Sequence, residues 1–143
     1  MDEIMVVYWS QTGNTEAMAQ AVAQGIDEAG KKAKLAEVSA VDPETLKGAK
    51  AIALGCPAMG AEVLEEDEME PFVAALEGFV SGKTVGLFGS YGWGDGQWMR
   101  DWEARMVASG AKIQGGTGVI CQEAPDEEAL ERCRKLGREL SNI

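Results

Sequence analysis

Apolar residues along this chain fall into two patterns: short unbroken runs, and longer stretches in which they recur every three or four positions. The first run, Ile4 Met5 Val6 Val7 Tyr8 Trp9, has strand length and no polar interruption, as a strand buried on both faces requires. From Glu16 the pattern turns helical, with Met18, Ala21, Val22, Gly25, Ile26 and Ala29 on one face. Gly30 stands where a left-handed residue would end that helix. Lys34 to Ser39 alternates weakly, as an edge strand does, and Asp42 Pro43 Glu44 Thr45 Leu46 reads as a turn with at most one helical loop. Ala51 to Cys56 is a second continuous apolar run. Pro57, which cannot donate to a ladder, ends it, so the run belongs in mid-sheet.

Downstream, Pro71 falls in the first turn of a helix whose core face is Phe72, Val73, Leu76 and Phe79. Gly82 and Lys83 turn the chain into a third buried strand, Thr84 to Gly89. From Gln97, the residues Trp98, Trp102 and Met106 mark one face of a helix ending near Gly110. Lys112 and Ile113, then Thr117 to Cys121, form a final strand interrupted by Gly115 and Gly116. After Pro125 the last helix carries Asp126, Glu127 and Glu128 in its first turn and Arg132, Arg134, Lys135 and Arg138 further on, matching the helix dipole. Leu130, Cys133, Leu136 and Leu140 are its buried positions. Apolar strands alternating with amphipathic helices predict an α/β fold, a doubly wound five-stranded parallel sheet with about four helices on its two faces. The length suits one domain over residues 1–143. In such sheets a ligand lies beyond the carboxyl ends of the strands, so the loops Ser10–Thr15, Pro57–Glu62 and Ser90–Gln97 are expected to meet at one crevice.

Charge narrows the partners. With 24 acidic and 13 basic residues the net charge is −11, which opposes nucleic acid and anionic membrane and favours proteins with basic docking faces. Cys56, Cys121 and Cys133 make an odd count without a C-x-x-C pair, and there is no histidine. A disulfide framework and a typical zinc site are therefore not expected, and the cysteines read as small buried apolar side chains. The start of the chain has no basic region, and no stretch approaches the roughly 20 apolar residues of a membrane span. A soluble, cytoplasmic protein is expected.

The three loops carry the chemistry. Ser10 Gln11 Thr12 Gly13 Asn14 Thr15 joins a strand to a helix start through short polar side chains, with Gly13 where the backbone turns sharply or approaches a ligand. A phosphate can bind such a loop without a cation, because helix N-termini carry free N–H groups and partial positive charge. No lysine follows as a Walker A loop demands, and the loop is not G-x-G-x-x-G. Taken alone it is equally an ordinary helix cap through Asn14 or Thr15. Pro57 Ala58 Met59 Gly60 Ala61 Glu62 sets a polarizable thioether beside a glycine at a strand end, suited to a flat ring. Ser90 Tyr91 Gly92 Trp93 Gly94 Asp95 Gly96 Gln97 places Trp93 among glycines, either as a stacking platform or as a core residue. A phosphate cradle, a thioether loop and an aromatic platform at one sheet edge suit flavin mononucleotide (FMN). No histidine and no nucleophile–base arrangement suggests bond-making catalysis, and neither Asp95 nor Glu62 has a nameable acid or base partner.

Through YWSQTGNTEAMA, LGCPAMGAE and GLFGSYGWGDGQWM the sequence resembles the short-chain flavodoxins of clostridial type, over nearly its whole length and with the three motifs in order. The resemblance implies strand order 2-1-3-4-5 and tightly but non-covalently bound FMN, its phosphate at Ser10–Thr15, Met59 on the inner ring face and Trp93 on the outer. It implies backbone contacts to the ring edge from Pro57, Ala58, Ala61, Ser90, Tyr91, Gly92, Gly94, Gly96 and Gln97. At Gly60 it implies a peptide flip toward flavin N5, for which positive φ would favour glycine. A second carboxylate expected after Glu62 is replaced by Val63, which leaves the acceptor for flavin N3–H either absent or supplied by Glu62. Glu62, Glu65, Glu66, Asp67, Glu68 and Glu70 form either a solvated helix start or a field lowering the potential of an anionic hydroquinone. Each carboxylate about 8 Å away would contribute roughly 2 kcal/mol at an effective dielectric near 20. The implied function is a low-potential one-electron carrier shuttling between semiquinone and hydroquinone, monomeric, with ferredoxin-linked oxidoreductases as partners. The alternatives are a small FMN-dependent NAD(P)H or quinone reductase, whose second pocket Trp93 would block, and a receiver domain, whose acceptor aspartate is displaced by Cys56 Pro57.

Overall fold

A computed structural model describes residues 3–60 and 62–143. Its elements run β1 (Glu3–Tyr8), α1 (Asn14–Glu28), β2 (Lys32–Glu37), β3 (Ala51–Gly55), α2 (Met69–Leu76), β4 (Thr84–Tyr91), α3 (Gln97–Ala108), β5 (Lys112–Ile113), β6 (Val119–Gln122) and α4 (Glu127–Leu140), with 3-10 turns at Val38–Ala40 and Pro43–Leu46. The sheet is parallel in the order β2-β1-β3-β4-β5, as expected.

One difference lies at its last position. The expected final strand is two strands, both paired with β4: β5 beside its start, Thr84 against Lys112, and β6 beside its end, Phe88 against Val119. Between them Gly115 and Gly116 take φ of 78° and 81°, which bends the chain out of the ladder before it returns.

Successive strand residues point to opposite faces, so the unbroken apolar runs divide between two cores. Val7, Ile52, Leu54, Val85 and Leu87 meet Leu76, Trp98 and Trp102 from α2 and α3 on one face. Val6, Ala53 and Phe88 meet Met18, Ile26 and Leu136 from α1 and α4 on the other. The α1–α4 contact is unusually close. A Cβ on Gly25 would collide with the Arg134 carbonyl, and one on Gly137 with that of Val22.

Several element ends differ from expectation. α1 begins at Asn14, and its N-cap is Gly13 at φ 93° without a side-chain cap, so neither Asn14 nor Thr15 caps it. Ala29 is exposed at the end of that helix, while Gly30 is left-handed as expected. β2 starts at Lys32 and leaves Leu35 exposed, in keeping with an edge position. Phe79 lies beyond α2, half-buried beneath the Lys47 ammonium at 5.6 Å. No helix among the described residues is long and apolar enough to cross a membrane.

Candidate functional site

The carboxyl ends of β1, β3, β4 and β6 share one sheet edge, and the segments leaving them wall a crevice of about 500 Å3, its open mouth included. Ser10, Gln11, Thr12, Asn14 and Thr15 come from the first loop, Pro57, Ala58 and Met59 from the second, Ser90, Tyr91 and Gly92 from β4, and Glu123 from the end of β6.

The first loop is drawn tight by Ser10, whose Oγ accepts from the N–H groups of Gly13 at 3.2 Å and Glu16 at 3.3 Å. The left-handed Gly13 lets the chain turn at that point. The N–H groups of Gln11, Thr12, Asn14 and Thr15 make no hydrogen bond to the described residues. Thr15 is buried; its Oγ1 lies 3.3 Å from Ser90 Oγ and accepts from Ser90 N at 3.4 Å, which struts the loop against β4. Among the described residues no lysine or arginine lines the crevice. Free N–H groups at the start of a 15-residue helix, with hydroxyls beside them, are a donor set that fits a phosphate dianion.

In the second loop Ala58 N donates to Ser90 O at 3.0 Å, and Met59 and Val63 close a turn with Met59 N to Val63 O at 2.9 Å and Glu62 N to Met59 O at 2.6 Å. Met59 is half-exposed and Gly60 exposed at the tip. Gly60 does not have positive φ, and a Cβ there would meet nothing within 4 Å, so this conformation does not itself require glycine. Ala61 lies outside the described residues. Glu62, at φ 53°, turns away from the crevice. Its Oε1 accepts from Gln97 N at 3.1 Å, supplying the cap that α3 lacks from its own N-cap residue, Gly96. Gly94 makes room for that carboxylate, since a Cβ there would stand 2.6 Å from it.

The third loop is held at both ends. Gln122 Nε2 donates to Gly92 O at 3.3 Å, and the Arg100 guanidinium reaches back to Asp95 O at 3.0 Å, Asp95 Oδ1 at 2.9 Å and Gln97 Oε1 at 2.8 Å. Asp95 thus pairs with the Arg100 guanidinium and Glu62 with a backbone N–H, partners that hold this loop in place. Between the anchors Trp93 is 64 % exposed, which removes the core alternative. Trp93, Gly94, Gly96, Gln97 and Glu62 lie in or against this loop and do not line the crevice.

The acidic run is largely committed to structure. Glu65 is buried, and its carboxylate accepts from the N–H groups of Asp67 at 2.9 Å, Glu68 at 2.7 Å and Met69 at 2.9 Å, capping α2. Burial pushes its pKa up, but the three N–H bonds together hold it below the ordinary carboxylate value. Glu68 accepts from Trp9 Nε1 at 3.1 Å, and Glu70 forms a two-pronged pair with Arg105, which also holds Glu77. Burial pushes the thiols of Cys56 and Cys133 up to about 12, so neither is a thiolate at neutral pH. Cys56 does more than fill space: its Sγ donates to Pro57 O at 3.4 Å and accepts from Glu65 N at 3.5 Å. Cys121 is half-buried. Among the described residues no group of three or more potential ligands could hold a metal ion.

A doubly wound sheet with a cation-free anion loop at one edge and an exposed tryptophan beside it defines a protein built around a phosphorylated, flat-ringed cofactor. The flavodoxin family profile matches residues 6–137. The chain is 50% identical to the flavodoxin of Clostridium beijerinckii over 138 residues, 96% of this chain and 99% of that protein. It is 42% identical to the flavodoxin of Megasphaera elsdenii over 134 residues, 94% and 95% of the two chains. The solution structure of two-electron reduced Megasphaera elsdenii flavodoxin matches with a TM-score of 0.90 at 39% identity, covering 98% of this chain and 99% of that one. The chain belongs to the flavodoxin family. Flavodoxins are FMN-bound, low-potential electron carriers rather than enzymes, and FMN is the cofactor here.

Proposed function

We propose that the crevice holds FMN with its phosphate on the N–H and hydroxyl groups of Ser10–Thr15 and its ring between Met59 and Trp93. The observation that carries this reading is the set of four N–H groups, from Gln11, Thr12, Asn14 and Thr15, that no described residue accepts from, at a crevice without a cation. When bound, FMN supplies one-electron redox chemistry, and the chain supplies binding, orientation and electrostatics. Ser10 and Gly13 shape the loop for the phosphate, and Thr15 fixes it to β4. Pro57, Ala58, Ser90, Tyr91 and Gly92 wall the ring and its chain, and the backbones of Ala61, Gly94, Gly96 and Gln97 serve the ring edge. Glu62 turns away from the crevice and holds Gln97 N, so it bears on the ring edge only through the third loop that it braces. Gly60 would turn its carbonyl toward flavin N5, and a Cβ there meets nothing within 4 Å.

Trp93, exposed and flanked by glycines, covers the ring without closing off its edge, so electrons pass there by protein docking. The net charge of −11 favours partners with a basic docking face, and ferredoxin-linked oxidoreductases are the partners we assign. A single domain over residues 1–143, acting as a cytoplasmic monomer, completes the reading. The purified protein is expected to be yellow and to pass through two resolved stages in a stepwise reductive titration followed by absorbance. A colourless protein that does not take up added FMN would refute it.

A further inference from the structure

Glu123 is the one charged side chain in the wall of the crevice among the described residues, and it comes from the end of β6, apart from the three loops. Its backbone stands at φ 59°, a conformation that side-chain-bearing residues seldom adopt. That conformation is locked: Glu123 N donates to Tyr91 O at 2.8 Å, and the adjacent Gln122 side chain holds Gly92 O at 3.3 Å. The carboxylate lies over Gly92, with Oε1 3.5 Å from where a Cβ on that glycine would stand. It cannot be withdrawn by a backbone change without breaking the bond to Tyr91.

The remainder of the crevice wall meets an anion with N–H and hydroxyl groups and offers no positive side chain to neutralise it. A carboxylate in the same hollow therefore opposes any anion bound there. Carboxylate and anion would share one hollow, so at low ionic strength, where the Debye length is about 30 Å at 0.01 M salt, the repulsion is little screened. Toward a neutral chain of hydroxyl groups the same carboxylate is an acceptor of hydrogen bonds.

We infer that Glu123 is a specificity-determining residue that weakens this crevice's preference for phosphorylated over unphosphorylated flavin. The inference rests on the crevice being the FMN site. Its test is the affinity of the apoprotein for FMN and for riboflavin, read by quenching of flavin fluorescence, in wild type, Glu123→Gln and Glu123→Lys. At low ionic strength the riboflavin-to-FMN ratio of Kd should rise roughly three- to tenfold in the Gln variant and further in the Lys variant. The rise should shrink in about 1 M salt, where the Debye length is about 3 Å. A ratio unchanged within twofold in both variants, or FMN and riboflavin affinities moving together, would overturn the inference and leave Glu123 as a brace for Gly92. Should the Gln variant fold poorly, Glu123→Asn also removes the charge and tolerates the left-handed backbone better. A wild-type protein that binds neither flavin would defeat the site reading and this inference together, whereas tight FMN binding with an unchanged ratio defeats this inference alone.

Discussion

Glu65 offers the sharpest test of how the acidic run is used. Its carboxylate is buried at the start of α2 and accepts three backbone N–H groups at 2.7–2.9 Å. Glu65→Gln keeps one oxygen for part of this set but turns an NH2 toward a backbone N–H, losing at least one charge-assisted bond. Glu65→Ala strands all three donors. Losing a helix cap costs about 0.5–2 kcal/mol and stranding the one buried donor, Met69 N, about 1–3 kcal/mol, so the Gln variant should lose about 1–2 kcal/mol and the Ala variant about 2–4 kcal/mol at pH 7. For a chain of this length each kcal/mol lowers Tm by about 3–4 °C. The pH dependence has a definite sign. The folded-state pKa of Glu65 lies below its unfolded value, so its contribution is fully present above the unfolded pKa and is lost as pH falls through the folded one. Urea denaturation of wild type and Glu65→Gln at a series of pH values should therefore show a gap at neutral pH that closes in acid. A gap that stayed constant as the pH fell, or no gap at pH 7, would show that this carboxylate is not what holds the start of α2.

Three further outcomes are expected. Trp93→Ala should weaken FMN binding by about 1–3 kcal/mol while leaving apoprotein stability within about 0.5 kcal/mol, because the side chain is exposed; fluorescence titration and thermal melting read the two effects separately. Gly60→Thr should leave apoprotein stability within about 0.5 kcal/mol, since a Cβ there meets nothing, but should merge the two stages of a reductive titration, and two well-resolved stages would reject a role for this turn. Gly137→Ala should cost about 2–3 kcal/mol by forcing α4 away from the Val22 carbonyl, measured as a lowered urea midpoint, and an unchanged midpoint would mean the helices part freely.

How far such features are visible in a sequence depends on the range of the interaction behind them. β3 and β4 were legible because a strand covered on both faces must be apolar at every position, and α4 because its apolar spacing and charge gradient are local. The first loop was legible as a sharp turn at Gly13, but the cap fell on the wrong residue, since a left-handed glycine can start a helix without any side chain. Carboxylates were the least legible. Six in nine residues look like a solvated face, yet Glu62 caps a helix 35 positions away and Glu65 caps its own. Nothing local marks such bonds, because their donors are backbone N–H groups that every residue carries. Glu123 was illegible for a different reason: the glycine break at 115–116 divides the last strand, and nothing local marks where β6 ends. The rule that drew the other three loops to one edge applies to that strand as well, since β6 runs parallel to β4 and Cys121 and Gln122 pair with Ser90 and Tyr91. The residue after a strand so paired must face the same crevice, so a fourth wall was implied as soon as the last strand was placed beside β4. The charge on that wall is what makes it consequential.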